Sequence, residues 1–146
     1  MLTQTNKSVF PRVLLADDHQ AILDTESRIL APEFNIVGAV RDGAAVLAAA
    51  AELDPDVITL DITMPEISGL EVARRLRASG SRAKIVFVTV HEDPDFICEA
   101  LHVGASAYVA KGVMASDLLQ AVHAVMMGRK FISPSLGFST PGHSKH

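Results

Sequence analysis

The sequence predicts an α/β fold in which a parallel β-sheet is covered by helices on both faces. Five short apolar runs alternate with five stretches of helical character along the 146 residues. Continuous apolar runs are typical of strands buried on both faces, and regular alternation of strand and helix favours parallel pairing through right-handed crossovers. The composition, 49% apolar and 21% charged, is that of one globular domain.

The predicted strands are the apolar runs at residues 13–16, 34–40, 57–60, 85–88 and 107–109. Four of the segments that follow them carry apolar residues at helical spacing, which predicts amphipathic helices. These apolar stripes are Ile22, Ile29 and Leu30; Leu70, Ala73 and Leu76; Phe96, Ile97, Ala100 and Leu101; and Leu118, Val122, Val125 and Met126. The remaining helix, predicted over residues 44–53, is rich in alanine.

The ends of the chain differ in composition from its centre. We expect residues 1–10 to form a flexible arm, residues 11–132 the folded domain, and residues 133–146 a flexible tail or the start of a linker. The net charge of -4 gives no general electrostatic reason to expect nucleic acid, and no apolar run is long enough to span a bilayer. The single cysteine, Cys98, excludes an internal disulfide and favours a cytoplasmic location.

Polar residues stand at the ends of four predicted strands. Asp17 and Asp18 follow the first strand, Asp61 follows the third, Thr89 ends the fourth, and Lys111 comes shortly after the fifth. Ligands of open parallel sheets bind beyond the carboxyl ends of the strands, so these side chains are predicted to converge. Each alone has an ordinary explanation as a helix cap, a turn residue or a surface lysine. Their agreement at four strand ends favours a functional site.

The chemistry of such a cluster is constrained by charge. Three neighbouring carboxylates repel one another, and a hard divalent cation such as Mg²⁺ removes that conflict by taking oxygen ligands. A carboxylate can also attack phosphorus to form an acyl phosphate. Phosphoryl transfer needs positioning and charge neutralisation, which Mg²⁺ and a lysine supply. The cluster therefore indicates magnesium-dependent phosphoryl chemistry.

Taken together, these motifs resemble the receiver domain of bacterial two-component response regulators. The matching segments are residues 14–19, residues 61–65 with Gly69, residues 88–92 and residues 104–111. The Asp-Asp-His and His-Glu-Asp motifs and residues 128–134 are similar to the nitrate-regulator-like subfamily, whose output is of the LuxR type. The resemblance covers residues 12–134. It implies a flavodoxin-like, doubly wound sheet of five parallel strands in the order 2-1-3-4-5, with five helices.

The resemblance also implies roles for the residues at the strand ends. Asp61 is the expected phosphoryl acceptor, and the donor is a histidine kinase or a small phosphodonor. Asp17 and Asp18 are expected to hold Mg²⁺, together with Asp61 and the backbone carbonyl of Thr63. The chain is not expected to be an enzyme beyond self-catalysed phosphoryl transfer and dephosphorylation.

The same resemblance implies a conformational switch. Lys111 is expected to contact the phosphoryl oxygens, Thr89 to bind the phosphoryl group, and Tyr108 to change rotamer with it, as a shift between two packings. Thr63 and His91 lie two places after the acceptor and the switch threonine, where side chains would overhang the site. We predict that these two residues tune hydrolysis by admitting or positioning water.

The resemblance implies an output through protein surfaces. The expected switching face is the fourth helix, fifth strand and fifth helix, through which a phosphorylation-dependent homodimer would form. In this subfamily a receiver is usually followed by a DNA-binding domain, for which the residues after 134 are too few. We therefore expect the receiver part of a transcriptional regulator, without DNA contact of its own; the alternative is a stand-alone single-domain regulator.

Three other classes of protein are alternatives to this interpretation. A pseudo-receiver would use the fold as an interaction module without phosphorylation, but the five strand-end residues named above are intact. A haloacid-dehalogenase-type phosphatase would need a second aspartate two places after its nucleophile, which the first strand lacks. A flavin-binding flavodoxin would need a phosphate loop rich in hydroxyl groups and glycine, and residues 16–20 do not provide one. One departure from the receiver pattern is Gly112, where many members have proline; the sequence leaves the geometry of the Lys111–Gly112 bond open.

Overall fold

The computed structural model describes residues 10–137, and its first five strands agree with the predicted ones. They are β1 (Arg12–Ala16), β2 (Asn35–Val40), β3 (Val57–Leu60), β4 (Lys84–Thr89), β5 (Ala107–Ala110) and β6 (Phe131–Ile132). The helices are α1 (Gln20–Leu30), α2 (Gly43–Leu53), α3 (Gly69–Ala78), α4 (Pro94–His102) and α5 (Met114–Met126). None of these helices is long and apolar enough to cross a membrane, a statement that covers residues 10–137.

All strands pair in parallel, in the order β2-β1-β3-β4-β5-β6. The first five strands have the predicted order, so the doubly wound α/β fold is confirmed. The sixth strand was not predicted. It pairs with the outer edge of β5 over two residues, and an apolar run that short has no readable period in a sequence.

The packed chain continues past residue 132. Ser133 is fully buried, its backbone N–H donates to the carbonyl of Tyr108 at 2.9 Å, and its hydroxyl accepts from the N–H of Ala110 at 3.1 Å. A 3₁₀ turn, Pro134–Leu136, follows it. The predicted arm, apart from its last residue, and the predicted tail after residue 137 lie outside the described residues.

Side chains alternate between the two faces of the sheet, and β3 displays this clearly. Ile58 and Leu60 enter the apolar cluster on the face covered by α2, α3 and α4. Val57 enters the cluster on the other face, which α1 and α5 cover. Thr59 is buried on that same side, where it contacts Glu26 of α1. The sheet is therefore buried on both faces, as continuous apolar runs predict.

Candidate functional site

The predicted strand-end residues meet at the carboxyl edge of the sheet. Asp17, Asp61 and Thr89 are buried, and the side chain of Lys111 is only 10% exposed. The ammonium of Lys111 donates to Oδ2 of Asp61 at 2.9 Å and lies 2.8 Å from Oδ2 of Asp17, where the angle departs from that of a hydrogen bond. One cation thus bridges two carboxylates that come from different strands.

The charge on Lys111 is secured by these neighbours. Burial acts to lower the pKa of Lys111, but the adjacent carboxylates of Asp17 and Asp61 outweigh burial and raise that pKa above its ordinary value. The side chain therefore remains an ammonium group at neutral pH. Its positive charge offsets part of the negative charge of Asp17 and Asp61.

Asp18 lies at the more open side of the cluster, with its side chain 30% exposed. His19 forms the N-terminal cap of α1, and its backbone N–H donates to Oδ1 of Asp17 at 2.9 Å. The ring Nδ1 of His19 lies 3.0 Å from Oδ1 of Asp18 and 3.3 Å from Oδ1 of Asp17. Arg41 reaches over from the end of β2 and donates to the carbonyl of Asp18 at 2.9 Å.

Unpaired carboxylate oxygens make this cluster suitable for a hard cation. Oδ1 of Asp61 is buried and has no hydrogen-bond partner within residues 10–137. Asp17, Asp18 and His19 each offer a ligand atom, and these atoms lie within 4.8 Å of one another. Buried anionic oxygens without partners are costly, and a divalent cation that prefers oxygen ligands satisfies them. The donor set fits Mg²⁺.

The loop after β3 is folded tightly against Asp61. The N–H of Gly69 donates to the carbonyl of Ile62 at 2.7 Å, and a Cβ atom at position 69 would lie 2.1 Å from the carbonyl oxygen of Asp61. No side chain fits in that space, so glycine is required for α3 to begin so close to the backbone of Asp61. This explains the glycine of the sequence motif in physical terms.

Two residues of the predicted switch bind the same segment of backbone. The hydroxyl of Thr89 accepts from the N–H of His91 at 3.3 Å, and the hydroxyl of Tyr108 donates to the carbonyl of His91 at 2.6 Å. Tyr108 is fully buried; burial, and next the negative charge of Asp61, raise the pKa of its phenol. Hydrogen bonds with a residue of β4 and a residue of β5 thus fix the backbone of His91 in the loop between β4 and α4.

The two predicted tuning residues form a pair at the rim of the site. Oγ1 of Thr63 lies 2.8 Å from Nε2 of His91, with the donor set by the tautomer of the imidazole. The His91 ring also stacks on Phe96 of α4, with centroids 4.4 Å apart. The exposed Val90, 67% accessible, lies beside them in sequence. The sequence placed both tuning residues over the site but did not predict that they bond to each other.

Comparison with known proteins agrees with this geometry. Residues 13–123 match the response regulator receiver domain family. The chain belongs to this family. It is 39% identical over 127 residues to the response regulator GacA of Pseudomonas viridiflava, covering 86% of this chain and 59% of that protein. It is 33% identical to the nitrate/nitrite response regulator NarL of Escherichia coli K12, covering 85% of this chain and 58% of that protein.

A solved structure of a LuxR-family two-component response regulator from Aurantimonas sp. SI85-9A1 superposes with a TM-score of 0.83. The sequence identity is 30%, and the match covers 88% of this chain and 93% of that one. The receiver assignment and the likeness to nitrate-regulator-like proteins are therefore confirmed. The receiver spans about 59% of the length of the curated relative GacA and 58% of NarL.

Glu26 is among the buried polar residues that sequence analysis missed. Glu26 of α1 is fully buried and accepts a hydrogen bond from the hydroxyl of Thr59 at 3.2 Å. It lies at helical spacing between the buried residues Leu23 and Leu30. A carboxylate in register with apolar positions was the only signal available, since Glu26 lies four places after Ile22 and four before Leu30.

The departure at Gly112 has a simple structural outcome. Residues 10–137 contain no cis peptide bond, so the Lys111–Gly112 bond is trans. Lys111 opens a short 3₁₀ turn, Lys111–Val113, that leads directly into α5. Glycine at this position leaves the ammonium of Lys111 within reach of both carboxylates.

Proposed function

We propose that this receiver accepts a phosphoryl group on Asp61 and converts its arrival into a change of protein surface. The observation that supports this most directly is the position of Lys111, whose ammonium lies 2.8 Å from Asp17 and 2.9 Å from Asp61. A buried carboxylate with one oxygen bonded to a lysine and the other without a partner is well suited to act as a nucleophile.

The transfer follows from these positions. A carboxylate oxygen of Asp61 forms a bond to phosphorus while the bond between phosphorus and an imidazole nitrogen of a histidine kinase breaks, and the imidazole leaves as the neutral ring after taking up a proton. Lys111 stabilises the negative charge on the phosphoryl oxygens during this exchange. The protein contributes positioning and electrostatics, so self-catalysed transfer and later dephosphorylation are the full extent of its chemistry.

Mg²⁺ belongs to this proposal as the cofactor. The residues that would hold it are Asp17, Asp18, Asp61 and the backbone carbonyl of Thr63. When bound, it neutralises charge between the carboxylates and the phosphoryl oxygens. Asp17 and Asp18 follow β1 and Asp61 follows β3, so two neighbouring strands would position these carboxylates around the cation.

The switch is proposed to run through Thr89 and Tyr108. A phosphoryl group on Asp61 offers new acceptor oxygens to the hydroxyl of Thr89, which now accepts from the N–H of His91. Movement of Thr89 would change the backbone of His91, to which Tyr108 donates. The loop between β4 and α4 then repacks between two arrangements, and α4 moves with it.

The output is proposed to leave through the face formed by α4, β5 and α5, with β6 covering the outer edge of β5. A phosphorylation-dependent homodimer would use this face. The likeness to LuxR-family regulators supports a role as the receiver part of a transcriptional regulator in the cytoplasm. The net charge of -4 supports the absence of direct DNA contact, which a binding titration across salt concentrations tests.

The central test is mass measurement after incubation with a small phosphodonor and Mg²⁺. The wild-type protein is expected to gain one phosphoryl group that is stable in acid and labile in base. Asp61→Asn should not be labelled, whereas Asp24→Asn, which makes the same change at an exposed position of α1, should be labelled normally. Undiminished labelling of Asp61→Asn would exclude Asp61 as the acceptor.

The rim pair is tested by the decay of the phosphorylated protein. Thr63→Ala and His91→Ala each break the 2.8 Å contact, so both should change the decay rate in the same direction and by more than about twofold. His102→Ala at the far end of α4 is the control. Decay rates of both rim variants within about twofold of wild type would remove the tuning role.

A further inference from the structure

Glu26 is a buried carboxylic acid that the proposed phosphoryl chemistry does not use. Its side chain is fully buried on α1, whose other buried residues are Leu23 and Leu30. Lys, Arg, Asp and Glu are almost never fully buried without a partner, so such a residue needs an explanation. Its hydrogen bond goes to Thr59, not to Asp17 or Asp61.

Thr59 links Glu26 to the two strands that carry the acidic site. The hydroxyl of Thr59 donates to Oε1 of Glu26 at 3.2 Å and accepts from the N–H of Ala16 at 3.4 Å. Ala16 immediately precedes Asp17, and Thr59 stands two places before Asp61. Oε2 of Glu26 is buried and has no hydrogen-bond partner among residues 10–137. A neutral carboxyl group tolerates such surroundings far better than a carboxylate does.

The charges around Glu26 act in opposite directions. Burial, and next the negative charge of Asp17, raise the pKa of Glu26, and the charge of Asp61 adds to this rise. The hydrogen bond from Thr59 and the positive charge of Lys111 act to lower the pKa. The resulting pKa is about 8. These charges reach Glu26 from the ends of β1 and β3 and from the turn after β5. At neutral pH the carboxyl group therefore carries a proton in the protein whose site holds no added cation.

We infer that Glu26 is a proton-binding residue coupled to the acidic site, which holds its proton while the site contains only its own charges and releases it when a divalent cation enters. The coupling is reciprocal: if a bound cation lowers the proton affinity of Glu26, then the bound proton lowers the cation affinity of the site by the same factor. This inference rests on the proposed function for its cation. It adds that occupancy of the site depends on pH through a residue that touches neither phosphate nor metal.

Calorimetric titration with Mg²⁺ alone measures the protons released. Near pH 7.5, in two buffers of different ionisation enthalpy, wild type should release about 0.3 proton or more per cation bound. Glu26→Gln keeps the shape of the neutral side chain but has no proton to release, so its release should be clearly smaller. Asp24→Asn on the exposed side of the same helix should behave as wild type. His19 is unchanged in all three proteins, so its contribution cancels in the comparison.

The pH profile of cation affinity is the second measurement. From about pH 6.5 to about pH 8.5, the Mg²⁺ affinity of wild type should rise at least about threefold more than that of Glu26→Gln. Equal proton release and parallel pH profiles in the two proteins would overturn the inference. So would a Glu26 carboxyl that titrates below about pH 6 in wild-type protein, measured by carbon NMR, which needs no variant to fold.

The labelling of Asp61 is followed separately by mass. Normal labelling with no difference in proton release between wild type and Glu26→Gln contradicts the role of Glu26 alone. If wild type is not labelled at Asp61 but releases protons as expected, the acceptor assignment is contradicted and the coupling remains supported.

Discussion

The two faces of the sheet are built differently, although one set of strands supplies both. The face under α2, α3 and α4 buries a continuous cluster made of apolar side chains and the ring of Tyr108. The face under α1 and α5 places Glu26 and Thr59 in the same layer as apolar neighbours such as Val57. One side of this receiver is therefore built chiefly for stability, while the other carries a polar pair whose contribution to the free energy of unfolding depends on pH.

The largest expected effect comes from the apolar face. Ile58 is fully buried there, next to Thr59 on β3 but on the opposite side of the sheet. Ile58→Ala should lower the free energy of unfolding by about 4 kcal/mol, because it removes buried apolar atoms and leaves a cavity. Urea denaturation should give a similar loss at about pH 6 and about pH 8. A loss that changes strongly between those pH values would mean that the faces are not independent.

The second prediction concerns the pH dependence of the wild-type protein. The pKa of Glu26 rises from its ordinary value of 4.5 to about 8 on folding, so the folded state binds the proton more tightly than the unfolded chain. This stabilisation is complete below pH 4.5 and is lost as pH rises towards about 8. We expect a decline of roughly 4 kcal/mol across that window from this residue. The decline is obtained as the difference between wild type and Glu26→Gln in urea denaturation; curves that stay parallel would contradict it.

Replacing the Glu26 carboxyl group with an apolar side chain tests directly how the two faces of the sheet differ. Glu26→Leu makes the face under α1 resemble the other face, so it should raise the free energy of unfolding near pH 8.5 by about 1–3 kcal/mol. The gain arises because no buried charge remains to be desolvated. Near pH 4.5 the gain should shrink or vanish. Destabilisation at both pH values would show that the carboxyl group contributes net stability.

The smallest effect is expected at the hydroxyl group between the strands. Thr59→Val removes the hydrogen bonds to Glu26 and Ala16 and should cost about 1 kcal/mol in the wild-type background. In the Glu26→Leu background the same substitution should cost clearly less, because the acceptor is already absent. A double-mutant cycle measures this difference, and strict additivity of the two substitutions would show that they do not interact.

Much of the site was predictable because it follows from chain order. Asp17, Asp61, Thr89 and Lys111 each stand at the end of an apolar run, and parallel pairing brings such ends to one edge. The contact between Thr63 and His91 could not be derived in this way, because it depends on how two loops approach each other. Their placement over the site was predicted; their 2.8 Å contact required the structure.

The short strand β6 is a different case. Its two residues carry no period of their own, and they form a strand because β5 presents a free edge to them. Ser133 looks like the start of a polar tail, yet it is fully buried and bonded to Ala110 and Tyr108. Its polar composition predicts that this segment lies outside the fold, but pairing of β6 with β5 brings it into the packed domain.

The α/β architecture and the residues at the carboxyl edge could be predicted from the sequence, and the strand order from its resemblance to receivers. This was possible because period and chain order are local properties that any parallel sheet converts into position. The contacts of Lys111 with Asp17 and Asp61, of Tyr108 with the backbone of His91, and of Glu26 with Thr59 required the folded structure. Each of these depends on the distance and the dielectric environment between side chains from different elements, and a linear pattern of residue types contains neither quantity.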